Sequence, residues 1–139
     1  MKTKQIIVLI ILSGVHKNII IVMEQEQREL LLKDLCARLP HGVNIQYDNG
    51  HVIETRELGL GSLHDFIFND VAIKPYLRPM PSMTEEEKKK YHNYRYWIEK
   101  GDTEHCTINM MDWLNKHHFD YRGLIEKGLA LEAPKGMYK

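Results

Sequence analysis

Three closely spaced prolines, Pro75, Pro79 and Pro81, constrain the fold of this chain more than any other feature. Proline donates no backbone hydrogen bond, so Lys74 to Met83 is not expected to pair as a regular ladder. The segment separates the strand-like alternation before it from the helical spacing after it. It reads best as an ordered crossover that wraps a sheet and leads into a capped helix. An extended strip offered to a partner is the second reading.

On the N-terminal side of the prolines, Val43, Ile45 and Tyr47 alternate with Asn44 and Gln46. Asp48-Asn49-Gly50 signals a hairpin turn, and His51 to Thr55 returns as a second strand. Gly59 to Ser62 reads as another turn. Leu63 to Ile73, with Phe66-Ile67-Phe68, Val71 and Ile73, is expected to supply one or two further strands. Ahead of the sheet, Glu24 to Leu39 predicts a helix. Leu32, Leu35, Cys36 and Leu39 form one apolar stripe with Leu31 beside it, Arg38 sits in the last turn, and Pro40 with Gly42 stops it. Cys36 lies on that stripe and is expected to be a small buried hydrophobe rather than a reactive thiol.

On the C-terminal side, Thr84 to Glu87 is a capping box opening a helix. Glu85 with Lys89 and Glu86 with Lys90 add i, i+4 pairs. Tyr91, Tyr94 and Ile98 line one face, with Trp97 adjacent, and Gly101-Asp102 ends it. A further short helix is expected over Ile108 to Lys116. Asp112 to Ile125 then concentrates Trp, Phe, Tyr, two His, Arg and two Asp, too much chemistry for a disordered tail. Trp113, Phe119 and Tyr121 are expected to anchor it. The whole predicts an α+β fold: an N-terminal helix, a small antiparallel sheet of about three or four strands, C-terminal helices and an ordered irregular tail.

Residues 1–22 differ in composition from the rest of the chain. Lys2 and Lys4 precede an Ile-, Val- and Leu-rich run, as in a signal peptide, but no A-x-A site comes after it and Ile19 to Val22 is a second apolar run. His16-Lys17-Asn18 breaks the stretch, so no membrane-spanning helix is expected. The leading reading is a leader arising from a misplaced start, with Met23 beginning the protein. A signal or lipid-surface segment and a structural strand are the alternatives. The domain expected is therefore a single α+β unit over 23–139.

Nineteen basic residues balance nineteen acidic ones. No global field draws the chain to nucleic acid or anionic lipid, so such binding needs a local patch. Two cysteines in 139 residues are too few for a disulfide framework and point to a reducing cytoplasm; a secreted or membrane-associated protein is expected only if residues 1–22 are a genuine signal segment.

Three stretches carry a resemblance. They are Leu32 to Val43, Ile73 to Glu87, and Asp112 to Tyr138. Over about Met23 to Tyr138 the chain resembles an uncharacterised family of small proteins common in gut anaerobic bacteria and their phages and mobile elements; Asp48 to Asp70 does not match. The resemblance implies a start at Met23 and an accessory role in a mobile element. It implies no catalytic residue, cofactor or partner.

Several constellations contain residue types suited to chemistry. His117, Asp120 and Arg122, with His118 and Asp112 near, supply the types for a His–carboxylate pair with an anion-holding Arg. No nucleophile elbow, phosphate loop or dinucleotide fingerprint accompanies them. His105, Cys106, His117 and His118 are metal-ligand types at a spacing that matches no tetrahedral pattern. Lys88, Lys89, Lys90 and Arg95 interleave with Tyr91, Tyr94, Tyr96 and Trp97, as in a surface that contacts phosphates and stacks on bases. No metal and no cofactor are expected. The leading expectation is a small non-catalytic accessory or interaction protein of a phage or mobile element. The alternative is nucleic-acid binding through the basic–aromatic helix, and the third is an enzyme with its site in the tail. A broad apolar patch would favour a protein partner.

Overall fold

A computed structural model of the protein describes residues 16–139, with side chains from Glu24 onward. The chain divides into two units, one ending at Asp34 and one running from Leu35 to Lys139. The described residues of the first lie in the helix α1 (His16–Arg38), whose last four residues belong to the second; along it Gln25 donates to Glu29 at 3.2 Å. The helix begins before the acidic segment expected to open it, because no Gly or Pro stands between His16 and Arg38 to stop it. The rest of the leader expected over residues 1–22 lies outside the described residues. Among the described residues no helix is long and apolar enough to cross a membrane.

The second unit contains a four-stranded sheet and three helices. After a 3-10 turn over Leu39–His41 come β1 (Asn44–Asp48), β2 (Ile53–Glu57), α2 (Leu60–Phe68) and β3 (Ala72–Leu77). A second 3-10 turn, Met80–Ser82, leads to α3 (Glu85–Glu99), α4 (Thr103–Lys116) and the two-residue β4 (Leu131–Glu132). The sheet order is β2-β1-β3-β4. The first three strands are antiparallel, and β4 joins β3 in parallel. The α+β class expected from the sequence is therefore observed, with a mixed sheet in place of an all-antiparallel one.

The hairpin forms where the turn signal stands. Asp48 Oδ1 accepts from Gly50 N–H at 2.9 Å, and Asn49 Oδ1 accepts from the N–H groups of His51 and Val52 at 2.9 and 2.8 Å. Short polar side chains thus close the turn on its own backbone, and Gly50 supplies the positive φ of 87°. One face of the sheet carries the core: Ile45 and Tyr47 of β1 and Ile73, Pro75 and Leu77 of β3 are buried, alongside Val43, Leu58, Leu63 and Phe66.

Three expectations are corrected. Pro75 does lie in a ladder, opposite Ile45. β4 pairs with β3 only at Tyr76 and Leu77, so one edge of β3 has no strand partner at Pro75, and a residue without an N–H is accommodated there. Gly59 to Phe68 is a helix start and helix, not a turn and strand; only β3 arises from Leu63 to Ile73. Cys36 is exposed. The inward positions of the last turns are Leu35 and Arg38, both fully buried, and Cys36 lies one step round the helix from Leu35.

The capping box forms as predicted: Thr84 Oγ1 accepts from Glu87 N–H at 3.2 Å, and Glu87 accepts from Thr84 N–H at 2.9 Å. Met83, Trp113, Leu114 and Phe119 pack as one buried cluster, with Tyr91, Tyr94 and Tyr121 against it. Replacing Trp113 by Ala removes the largest ring of this cluster and is expected to cost about 3–5 kcal/mol in a urea-unfolding measurement. A variant as stable as the parent would mean that the tail is not docked through this ring.

Candidate functional site

The tail residues are held by backbone pairing rather than arrayed round a reacting atom. Arg78 N–H donates to His118 C=O at 2.7 Å and Asp120 N–H donates to Arg78 C=O at 2.8 Å, so the chain around Phe119 continues the sheet beyond β3. Asp120 then caps the next turn: its two carboxylate oxygens accept from Leu124 N–H at 2.8 Å and Ile125 N–H at 3.0 Å. Arg122 donates to Tyr121 Oη at 3.1 Å, and Tyr121 donates to Asn115 Oδ1 at 2.7 Å. His117 ends α4 with its ring 5.2 Å from that of Trp113. His117 lines an open groove of about 660 Å³ with Arg78, Glu87, His118 and Tyr138, and neither Asp120 nor Arg122 reaches it. The three candidates for acid–base chemistry are thus neighbours in sequence that serve separate structural contacts.

Within the groove the titrating groups are displaced from neutrality. Glu87 is held down to about 2, first by hydrogen bonds from the Arg78 guanidinium, which meets it bidentately at 2.9 and 2.7 Å. Burial lowers His118 to about 4, with the Arg38 charge adding to it. Its ring stacks on Tyr138 at 3.8 Å, and it holds a positive φ of 62°. Burial pushes Tyr138 up to about 12. The Tyr138 hydroxyl donates to Tyr76 C=O at 2.7 Å and accepts from Asn44 N–H at 2.9 Å, tying the C-terminus to the sheet.

The metal-ligand types are split by α4. His105 contacts Asn109 at 3.1 Å and Cys106 donates to Asp102 at 3.4 Å, both at the start of the helix. His117 and His118 lie past its end, roughly 18 Å along at 1.5 Å per residue, so the four are not one ligand set.

The basic residues of α3 diverge as well. Successive helical positions turn by about 100°, so Lys88, Lys89 and Lys90 point to three sides. Lys88 pairs with Glu85 at 3.1 Å, Lys90 lies over the Trp113 ring at 5.9 Å, and Arg95 donates to Tyr91 Oη at 3.4 Å. Tyr96 and Trp97 are half exposed, and Lys100 lies over Tyr96 at 5.5 Å.

The surface that sequence reasoning missed is on α2. Ser62, Leu63 and Phe66 bury one side of this helix. Tyr47 Oη–H donates to Asp65 at 2.7 Å and fixes it to the sheet. The opposite side carries Leu60 at 75% exposure, Ile67 at 40% and Phe68 at 70%, with the His64 ring 4.8 Å from that of Phe68. Positions 60, 64, 67 and 68 are one helical stripe. The signal is present in the sequence as apolar residues at 60, 67 and 68, but the aromatic and β-branched run at 66–68 favours a strand reading.

No protein-family model, characterised protein or solved structure matches the chain.

The displaced histidine carries an expectation for pH. His118 titrates at 6.5 when unfolded and about 4 when folded. The unfolded chain therefore binds the proton more readily, and stability present above pH 6.5 falls as pH drops towards 4. His118→Asn keeps a residue that tolerates positive φ and is expected to remove this part of the slope. Unfolding curves between those pH values test it; an unchanged slope would reject His118 as its source.

Proposed function

We propose that this protein is a small non-catalytic interaction protein whose docking surface is the exposed apolar stripe of α2. The observation that carries this is the stripe itself: three large apolar side chains on one side of a helix already seated through its other side. Scattered exposed hydrophobes are ordinary, whereas an aligned set fits a helix laid into an apolar groove of a partner protein. The partner class is a folded protein presenting such a groove. The two free thiols, Cys36 and Cys106, support a reducing, cytoplasmic setting. An accessory role in a phage or mobile element rests on the sequence resemblance.

A second reading has its own observation. Tyr96, Trp97, Lys89 and Lys100 are exposed on α3 and its end, a small platform suited to stacking and phosphate contact. It involves Lys89 from the basic set of the sequence and leaves Lys88, Lys90 and Arg95 in intramolecular contacts.

The test places a photo-cross-linker at His64 in cells carrying the gene. A protein cross-linked to the parent and lost from Leu60→Glu/Phe68→Glu is the expected result. Both substitutions are at exposed positions, so stability should change by no more than about 0.5 kcal/mol each. A cross-linked set unaffected by the double substitution would remove α2 as the docking surface. Salt-sensitive DNA or RNA binding abolished by Trp97→Ala/Lys100→Gln would favour the second reading.

A further inference from the structure

We propose that the outer edge of β2 pairs with β2 of a second copy of this chain, extending the sheet across a two-fold axis at Thr55. β2 ends the strand order, and among the described residues only β1 pairs with it. All five of its residues are exposed, Ile53 at 65%.

The direction of its backbone groups is set by the ladder. Leu58 N–H donates to Val43 C=O at 2.8 Å, and Asn49 N–H donates to Val52 C=O at 3.3 Å, at the two ends of the hairpin. Hydrogen-bonded and non-hydrogen-bonded pairs alternate in an antiparallel ladder. With the register Tyr47 opposite Glu54 and Ile45 opposite Arg56, Glu54 and Arg56 turn their backbone groups to β1. Ile53, Thr55 and Glu57 aim theirs outward, open to a further strand.

Charge then selects the register. The outward residues must face one another, so permitted symmetric registers differ by steps that keep this parity. With Thr55 on the axis, Ile53 faces Glu57 of the second copy and Glu54 faces Arg56. These charged pairs fall at non-hydrogen-bonded sites, where side chains approach most closely. The neighbouring registers set Glu54 against Glu54 or Arg56 against Arg56, and like charges directly opposite are unfavourable. Glu54 and Arg56 already form an ion pair within the strand, with the Arg56 guanidinium held 3.8 Å over the Tyr47 ring. Both charges are therefore placed on one face of the edge before any second copy arrives. Charged residues on an edge usually discourage strand addition; this alternation discourages all but one antiparallel arrangement. The surface is separate from the α2 stripe, and its failure leaves that reading intact.

Sedimentation equilibrium from about 10 µM to about 1 mM tests the pairing. The parent is expected to show a concentration-dependent monomer–dimer equilibrium. Thr55→Pro removes an outward N–H, a change that an edge position tolerates, together with the exposed contact of Thr55 Oγ1 with Tyr76 Oη at 3.4 Å, and should give a folded monomer by circular dichroism. Glu54→Arg and Arg56→Glu each place like charges at two symmetry-related sites and should raise the dimer Kd about tenfold or more. Mixing those two variants restores opposite charges at both sites and should recover a heterodimer near the parent's affinity. A parent that stays monomeric throughout, a dimer indifferent to Thr55→Pro, or a mixture no tighter than its components would overturn the proposal. Should the charge variants fail to fold, the parent and Thr55→Pro decide it.

Discussion

Arg78 is the residue through which the second unit is assembled. It comes directly after β3, and its own peptide carries the sheet on to the strand-like segment around Phe119. Its guanidinium lies 4.2 Å over the Phe119 ring, reaches His117 C=O at 3.4 Å and grips the Glu87 carboxylate. One side chain thereby fixes the start of α3, the end of α4 and the path of the tail. The planar fork of arginine suits this, because one edge meets a carboxylate while the flat face covers an aromatic ring. Glu87 caps α3 with the same carboxylate, so helix start and tail docking are coupled through a single group. Charge-assisted bonds of this kind contribute roughly 1.5–3 kcal/mol, enough to set the relative order of these elements.

Much of the architecture was legible in the sequence because its determinants are local. The hairpin turn is closed by Asp48 and Asn49 on backbone groups two or three residues away. The capping box spans Thr84 to Glu87. Trp113 and Phe119 are large rings in a polar segment, and burying them requires an ordered tail. What was not legible depends on partners far along the chain. In sequence Arg38 is a charge near a helix C-terminus, yet it is fully buried and donates to Phe119 C=O at 2.7 Å. Pro75 stands out by its missing donor, which matters little where the neighbouring strand does not reach. β4 is two residues long, and nothing local marks it. The surroundings of the tail candidates were not legible for a related reason: His117, Asp120 and Arg122 are close in sequence, but a left-handed residue at His118 and the turn capped by Asp120 send them to different neighbours.

The electrostatics of the groove are those of fixed structural contacts. A general acid or base works best with a pKa near the working pH. Here the displaced groups move the other way: Glu87 down to about 2, His118 down to about 4, Tyr138 up to about 12. Each holds one protonation state across neutral pH. That is what hydrogen-bonded, partly buried groups do when they serve as fixed donors, acceptors or stacking partners. The groove is better described as the seam where the tail meets α3 and β3.

The α2 stripe stands apart because stability gives no reason for it. A side chain as exposed in the folded chain as Leu60 or Phe68 gains little from folding, since it is in water in both states. Polar residues at 60, 67 and 68 would leave Leu63, Phe66 and the Tyr47–Asp65 bond in place and the helix seated as before. Solubility argues against the stripe, since an aligned apolar surface promotes unspecific association. The buried side of α2 accounts for why the helix is there; its outer side adds little to that seating.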